Sequence, residues 1–234
     1  MRIKSALAIL SLSLACVLPR ASFADTLTLT GATGSVVDGV YVYPYVFTIT
    51  GPGGTNTNVT LSCLNFDREV SFGESWTVSP LSISAIDTSA GRSAMYDGES
   101  GLSYVEDAWL FNQYNTSVAT NSEIQYAIWS IMDPGTINAS NSSYNNAGGF
   151  DATAQHLAAQ AATMAAALPA SYFANDIALL PDPTGSRTWT NGQPQIFMVD
   201  PMPSSIAPEP SSLILLGTGL AGTFAAARRR LRKA

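Results

Sequence analysis

Cys63 brings a thiol and Gln125 a carboxamide to this chain. A thiolate is a nucleophile, and a carboxamide carbon is an acyl centre. Cys16 falls in the apolar leader, so Cys63 is the sole cysteine of the exported part. A lone cysteine in an exported protein has no internal disulfide partner and needs another explanation. Period-two alternation puts Val59, Leu61 and Cys63 on one strand face, so the sulfur is expected inside, where the alternative role is that of a small buried hydrophobe. Gln125 lies in the helical run Ile124-Gln125-Tyr126-Ala127-Ile128-Trp129. Its competing role is as the far end of a Ser122-x-x-Gln125 capping box.

The remaining polar residues make weaker cases. His156 is the sole histidine and sits on an Ala-rich helix face; with one His and one Cys, the usual zinc ligands are not available. The segment Asp97-Gly98-Glu99-Ser100-Gly101 reads as an acidic solvated turn, with calcium binding through oxygen ligands as the alternative, and it lacks EF-hand spacing. Tyr41, Tyr43 and Tyr45 fall on one strand face, where core packing is expected and stacking against sugar rings is the alternative. No carboxylate pair stands out for glycoside hydrolysis, and no Gly-rich phosphate loop is present. The expectation is a protein that is not an enzyme, with no metal and no cofactor.

These residues are carried by two kinds of element. Residues 26–30, 36–50 and 57–66 are rich in Val, Tyr, Phe and Thr and alternate, with breaks at Asp38-Gly39 and at Gly51 to Gly54. Residues 75–78 and 81–86 read as shorter strands. The pattern then turns helical: Ser103-x-x-Glu106 offers a capping box, and a second helix starts at 120–122 and runs to Met132, with Ile124, Ile128 and Ile131 on one face. Asp133-Pro134-Gly135 stops it. An Ala-rich helix follows over 152–168, capped by Asp151 and ended by Pro169, and residues 187–200 return to strand character. The fold class is α+β: a β-rich sandwich or barrel-like unit with an α-helical insertion at about 102–168.

Both ends of the chain are addresses rather than fold. Arg2 and Lys4, an apolar stretch over 6–18 and Ser22-Phe23-Ala24 make a signal peptide, residues 1–24, cut by signal peptidase after Ala24. The working domain is then 25–207. It carries sixteen acids against Arg68, Arg92 and Arg187, a net of −13, and no lysine. That surface repels nucleic acid and anionic lipid, so neither is expected as a partner.

The C-terminal 27 residues, 208–234, stack three signals in order. Pro208-Glu209-Pro210 is stiff and extended, 211–227 is an uncharged apolar run, and five of the last seven residues are cationic. A run of this length approaches the roughly 30 Å of a bilayer core, and the basic end holds it from the cytoplasmic side. The layout resembles the PEP-CTERM sorting signal of Gram-negative bacteria. The resemblance implies an inner-membrane intermediate, recognition by an exosortase, removal of the tail near Pro208-Glu209-Pro210, and release or attachment at the cell surface. Membrane contact is then expected only through this helix before processing.

Cys63 on a strand, followed by Gln125-x-Ala127-Ile128-Trp129 on a helix, resembles the thioester domains of Gram-positive surface adhesins. The resemblance implies that Cys63 is the thiol partner and Gln125 the acyl partner of an internal thioester, with Ala127, Ile128 and Trp129 as the supporting motif. This chain departs from the pattern in two places: Ser62 stands where the family has a bulky residue, and Ile124 where it has threonine. The function expected on these grounds is adhesion or attachment to an amine-bearing or polysaccharide surface ligand. The alternative is a non-covalent structural protein of the extracellular polysaccharide or biofilm matrix.

Overall fold

Alternating segments bury one face each, and the stable way to do so is to pair them into a sheet around a shared core. The computed structural model describes residues 25–51, 54–88, 99–137, 149–182, 187–188 and 196–199. Strand β1 spans Asp25–Ala32, β2 Val36–Val37, β3 Val40–Tyr41, β4 Tyr45–Thr50, β5 Asn56–Cys63 and β6 Ser75–Ser82. After the helices come β7 (Ile177–Pro181), β8 (Arg187–Thr188) and β9 (Phe197–Val199). The helices are α1 (Gly101–Phe111), α2 (Asn121–Met132), the short α3 (Pro134–Ile137) and α4 (Ala152–Ala167).

The strands run β1-β4-β5-β9-β7-β6, and β6 pairs back onto β1. Six antiparallel strands among the described residues thus close a barrel, with β5 and β9 joined through Ser62 and Cys63 alone. β8 pairs with Ser75 and Trp76 of β6, on the edge opposite β1. The α+β class is as expected, a barrel-like β unit with its helices inserted between β6 and β7.

Leu27, Phe47, Leu61, Cys63, Trp76, Val78 and Phe197 fill the barrel interior, with Phe197 edge-on to Phe47 at 4.5 Å between ring centres. A second core lies among the helices and includes Tyr104, Leu110, Ile124, Ile128, Trp129 and Leu157. The Asp38-Gly39 break is a two-residue turn between β2 and β3, with φ of 50° and 82°; such mirror-image turns match the right-handed twist of paired strands.

Several local expectations are corrected. Residues 75–78 and 81–86 are not two strands: β6 runs through Pro80 to Ser82, and a 3-10 turn takes over at Ile83–Ala85. Pro80 is tolerated because β1 pairs only as far as Val78, so at Pro80 the strand is bonded on one side. Helix α1 begins three residues earlier than the Ser103-x-x-Glu106 box implies, since Ser100 is its N-cap and accepts from the Ser103 backbone N–H. Tyr41, Tyr43 and Tyr45 do not share a strand face, because the strand is interrupted at 42–44. Tyr41 meets Phe72, Tyr43 stacks on Tyr114, and Tyr45 is buried near Phe197. Asp97 and Gly98, the leader with Ala24, and Pro208, Glu209 and Pro210 lie outside the described residues.

One glycine is required by close approach. A Cβ on Gly34 would lie 1.9 Å from the Val42 carbonyl oxygen and 2.5 Å from that of Tyr43. Both neighbours are backbone and cannot rotate away. Gly34→Ala is therefore expected to destabilise the fold by about 3 kcal/mol. Gly135→Ala meets open space in α3 and is expected to be neutral or stabilising by about 0.5 kcal/mol. Urea unfolding midpoints of the two variants test this, and equal midpoints would contradict it.

Candidate functional site

The last three residues of β5 are all buried, whereas the strand before them alternates. Here the sheet is covered on both faces. Leu61 and Cys63 belong to the barrel core, while the Ser62 hydroxyl faces the helices, where it meets Tyr114 and Gln125. Gln125 comes from the first half of α2. Thr120 caps that helix, accepting from the Glu123 N–H at 3.3 Å, and the Glu123 carboxylate accepts from the Thr120 N–H at 2.6 Å. This box takes the place of the Ser122-x-x-Gln125 alternative and leaves the glutamine side chain to turn inward.

Cys63 and Gln125, 62 residues apart in sequence, are both fully buried, and they meet. Gln125 Nε2 donates to the Cys63 backbone carbonyl at 2.6 Å. Gln125 Oε1 accepts from the Tyr114 phenol at 3.0 Å and from the Ser62 hydroxyl at 3.3 Å. The two hydroxyls are themselves 3.0 Å apart. Each has one proton, so the triangle holds two hydrogen bonds, with Tyr114 on Oε1 and Ser62 on either oxygen. Tyr114 is held by Tyr43, whose ring stacks on it at 3.8 Å, and by the edge of Phe111.

The Cys63 sulfur donates to the Asn65 carbonyl at 3.0 Å. Asn65 is anchored in turn, because its side-chain oxygen accepts from the Ile196 N–H at 2.8 Å. The Asp133 carboxylate, just past the end of α2, accepts from the Phe66 and Asp67 N–H groups and ties the turn after β5 to the helix. Trp129, one helical turn beyond Gln125, lies beside the sulfur. Ala127 and Ile128 are fully buried in the helical core. His156 is exposed on α4, on a different element from the site.

Burial pushes the Cys63 thiol well above its ordinary range; the Trp129 indole acts in the opposite direction, and the Asp133 carboxylate adds to the rise. Burial likewise raises the Tyr114 phenol, which stays protonated and can donate to Oε1. The arrangement is a fully buried carboxamide whose nitrogen is pinned to the Cys63 backbone carbonyl and whose oxygen accepts hydroxyl hydrogen bonds.

Sequence reasoning passes over Ser62 as a partner and over Tyr114. Ser62 was readable as a departure from the bulky residue of the adhesin pattern, and it is a hydrogen-bond partner of Gln125. Tyr114 sits in a turn after α1, where nothing in its neighbours points to a role.

A model of the PEP-CTERM protein-sorting motif matches residues 207–230. The chain thus carries this motif, which implies export, a membrane-held intermediate, and processing by an exosortase to the cell surface. Among the described residues no helix is long and apolar enough to cross a membrane; the apolar run 211–227 lies outside them. A comparison with curated protein sequences finds no match. Among solved structures, the chain is similar to the N-terminal thioester domain of the fibronectin-binding protein SfbI from Streptococcus pyogenes. That match has 10% identity and a TM-score of 0.37, covering 80% of this chain and 97% of that one. The N-terminal domain of the Streptococcus pyogenes pilus tip adhesin Cpa matches at 11% identity and a TM-score of 0.36, covering 78% and 95%.

Proposed function

We propose that this exosortase-processed extracellular protein acts in attachment, through an internal thioester between Cys63 and Gln125. The observation that carries the reading is the Gln125 carboxamide itself, fully buried, pinned to the carbonyl of Cys63 and held at its oxygen by Tyr114 and Ser62. Those contacts hold the acyl carbon next to Cys63 and place donors where charge would develop on Oε1.

In the reaction the Cys63 sulfur adds to the Gln125 side-chain carbonyl carbon. Negative charge develops on Oε1, where Tyr114 and Ser62 donate. The carbon–nitrogen bond then breaks, the thiol proton passes to the departing nitrogen, and ammonia leaves. Because burial disfavours a free thiolate, proton transfer from sulfur accompanies the attack. The product is an activated acyl group that a partner's amine can capture as an amide.

Tyr114→Phe and Ser62→Ala each remove one donor from Oε1. Each is expected to slow thioester formation by on the order of 100-fold, the effect of losing one oxyanion donor. Mass spectrometry of freshly induced protein at successive times reads the rate; a wild-type rate in Tyr114→Phe would remove Tyr114 from the mechanism.

A second reading is a non-covalent structural protein of the extracellular polysaccharide matrix. It is favoured by the resting hydrogen bond from the sulfur to Asn65, which leaves Gln125 as a buried bridge between β5 and α2. Intact mass, taken up in the Discussion, separates the two.

A further inference from the structure

Neither Cys63 nor Gln125 is exposed at all, so an acceptor can reach them only through an adjoining opening. A cleft of about 430 Å³ is lined by Trp129, one helical turn beyond Gln125, and not by Cys63 or Gln125 themselves. Its floor includes Trp129, which borders the Cys63 sulfur, together with Phe66 and Tyr45. Its rim is Tyr41, from the β2–β3 hairpin, and Phe72, from the turn before β6; their rings are 5.8 Å apart. These two are 43% and 55% exposed, so the barrel core does not account for them.

The cleft has the volume of a small-molecule site. It admits a side chain or a small ligand, not a protein surface. Its aromatic walls favour an apolar stem and attract a cation to their faces. Glu69 lines it as well, and the 25–207 domain carries sixteen acids against three arginines, so the field draws ammonium ions inward. Arg68 also borders the cleft, but its guanidinium lies 3.8 Å from the Asp67 carboxylate, which offsets its charge.

We propose that this cleft is the route by which a partner's amine reaches the acyl bond, and that the Tyr41–Phe72 rim selects amines borne on an unbranched apolar stem. The inference rests on the thioester reading and adds to it the approach path and the residues that choose the acceptor. In the capture step the amine nitrogen bonds to the Gln125 side-chain carbonyl carbon and the carbon–sulfur bond breaks. The sulfur leaves as thiolate and takes up the proton lost by nitrogen.

The test compares n-butylamine with methylamine on the full chain, following release of the Cys63 thiol. The wild type is expected to react at least tenfold faster with butylamine at equal low concentration. In a Tyr41→Ala, Phe72→Ala double variant that preference should fall to within twofold. An undiminished preference in the double variant overturns the proposal. A second measurement does not need the thioester: butylammonium titrated into Cys63→Ala should shift the Trp129 indole N–H resonance saturably, and the same titration in a background carrying the two rim changes should not. If the wild type shows full mass, the acyl reading falls and this titration decides the cleft. A saturable, rim-dependent shift then upholds it as an ammonium site, and no shift overturns it.

Discussion

The domain purified as residues 25–207 is expected to weigh about 17 Da less than its sequence, the mass of the one ammonia lost when Cys63 acylates. Methylamine should restore mass at Gln125 and expose one titratable thiol at Cys63, because aminolysis opens the acyl bond and liberates sulfur. Cys63→Ala should abolish both effects while the barrel stays folded. Its cost is about 1 kcal/mol for the lost sulfur in the Leu61–Phe197 core, plus whatever the cross-link contributes. Gln125→Leu should abolish them too, at a larger structural cost of about 2 kcal/mol. That change strips the Cys63 carbonyl and the Tyr114 phenol of a buried partner. Full mass and one reactive thiol in fresh wild-type protein at neutral pH would leave no thioester, and the matrix-protein reading would then stand.

An all-or-none effect is also expected at the other end of the chain. Deleting residues 208–234 should give secretion without sorting, because the signals for membrane arrest and processing go together. Replacing only Pro208, Glu209 and Pro210 should leave the protein in the inner membrane, since the uncharged run 211–227 and the basic end still act as a stop-transfer anchor. Fractionation of cells carrying each version reads the outcome. Free appearance of the triplet variant outside the cell would show that processing does not depend on those three residues.

How much of this could be read without a structure depends on the range over which each signal acts. The Asp38-Gly39 turn, the Asp151 cap of α4 and the stop of α2 at Asp133 were legible, because each depends on residues within one turn of chain. So was the Ile124–Ile128 face of α2, whose spacing states which side is buried. The sorting motif was legible for a similar reason, since it is recognised in linear order over 207–230. The α+β class followed from the shift of hydrophobic period between the two kinds of segment.

Closure of the barrel was not legible. β7 and β9 are short apolar runs, buried through most of their length, without alternation, and they complete the ring only by pairing with strands far earlier in the chain, such as Ser82 with Ile177 and Cys63 with Phe197. Nor was the surrounding of the candidate pair. Sequence named Cys63 and Gln125 as chemical types, but Tyr114 and Ser62 became partners of Gln125 through packing. Tyr43 stacking on Tyr114 and the layering of helices over the end of β5 bring three distant segments onto one oxygen atom. The cleft beside Trp129 has the same origin, since Tyr41 and Phe72 meet only once the hairpin folds over the turn before β6. Local propensity acts across a few residues, whereas burial joins whichever faces the closed barrel leaves opposite one another. Short motifs could therefore specify the elements and the addresses, while the company each reactive group keeps was settled by long-range packing.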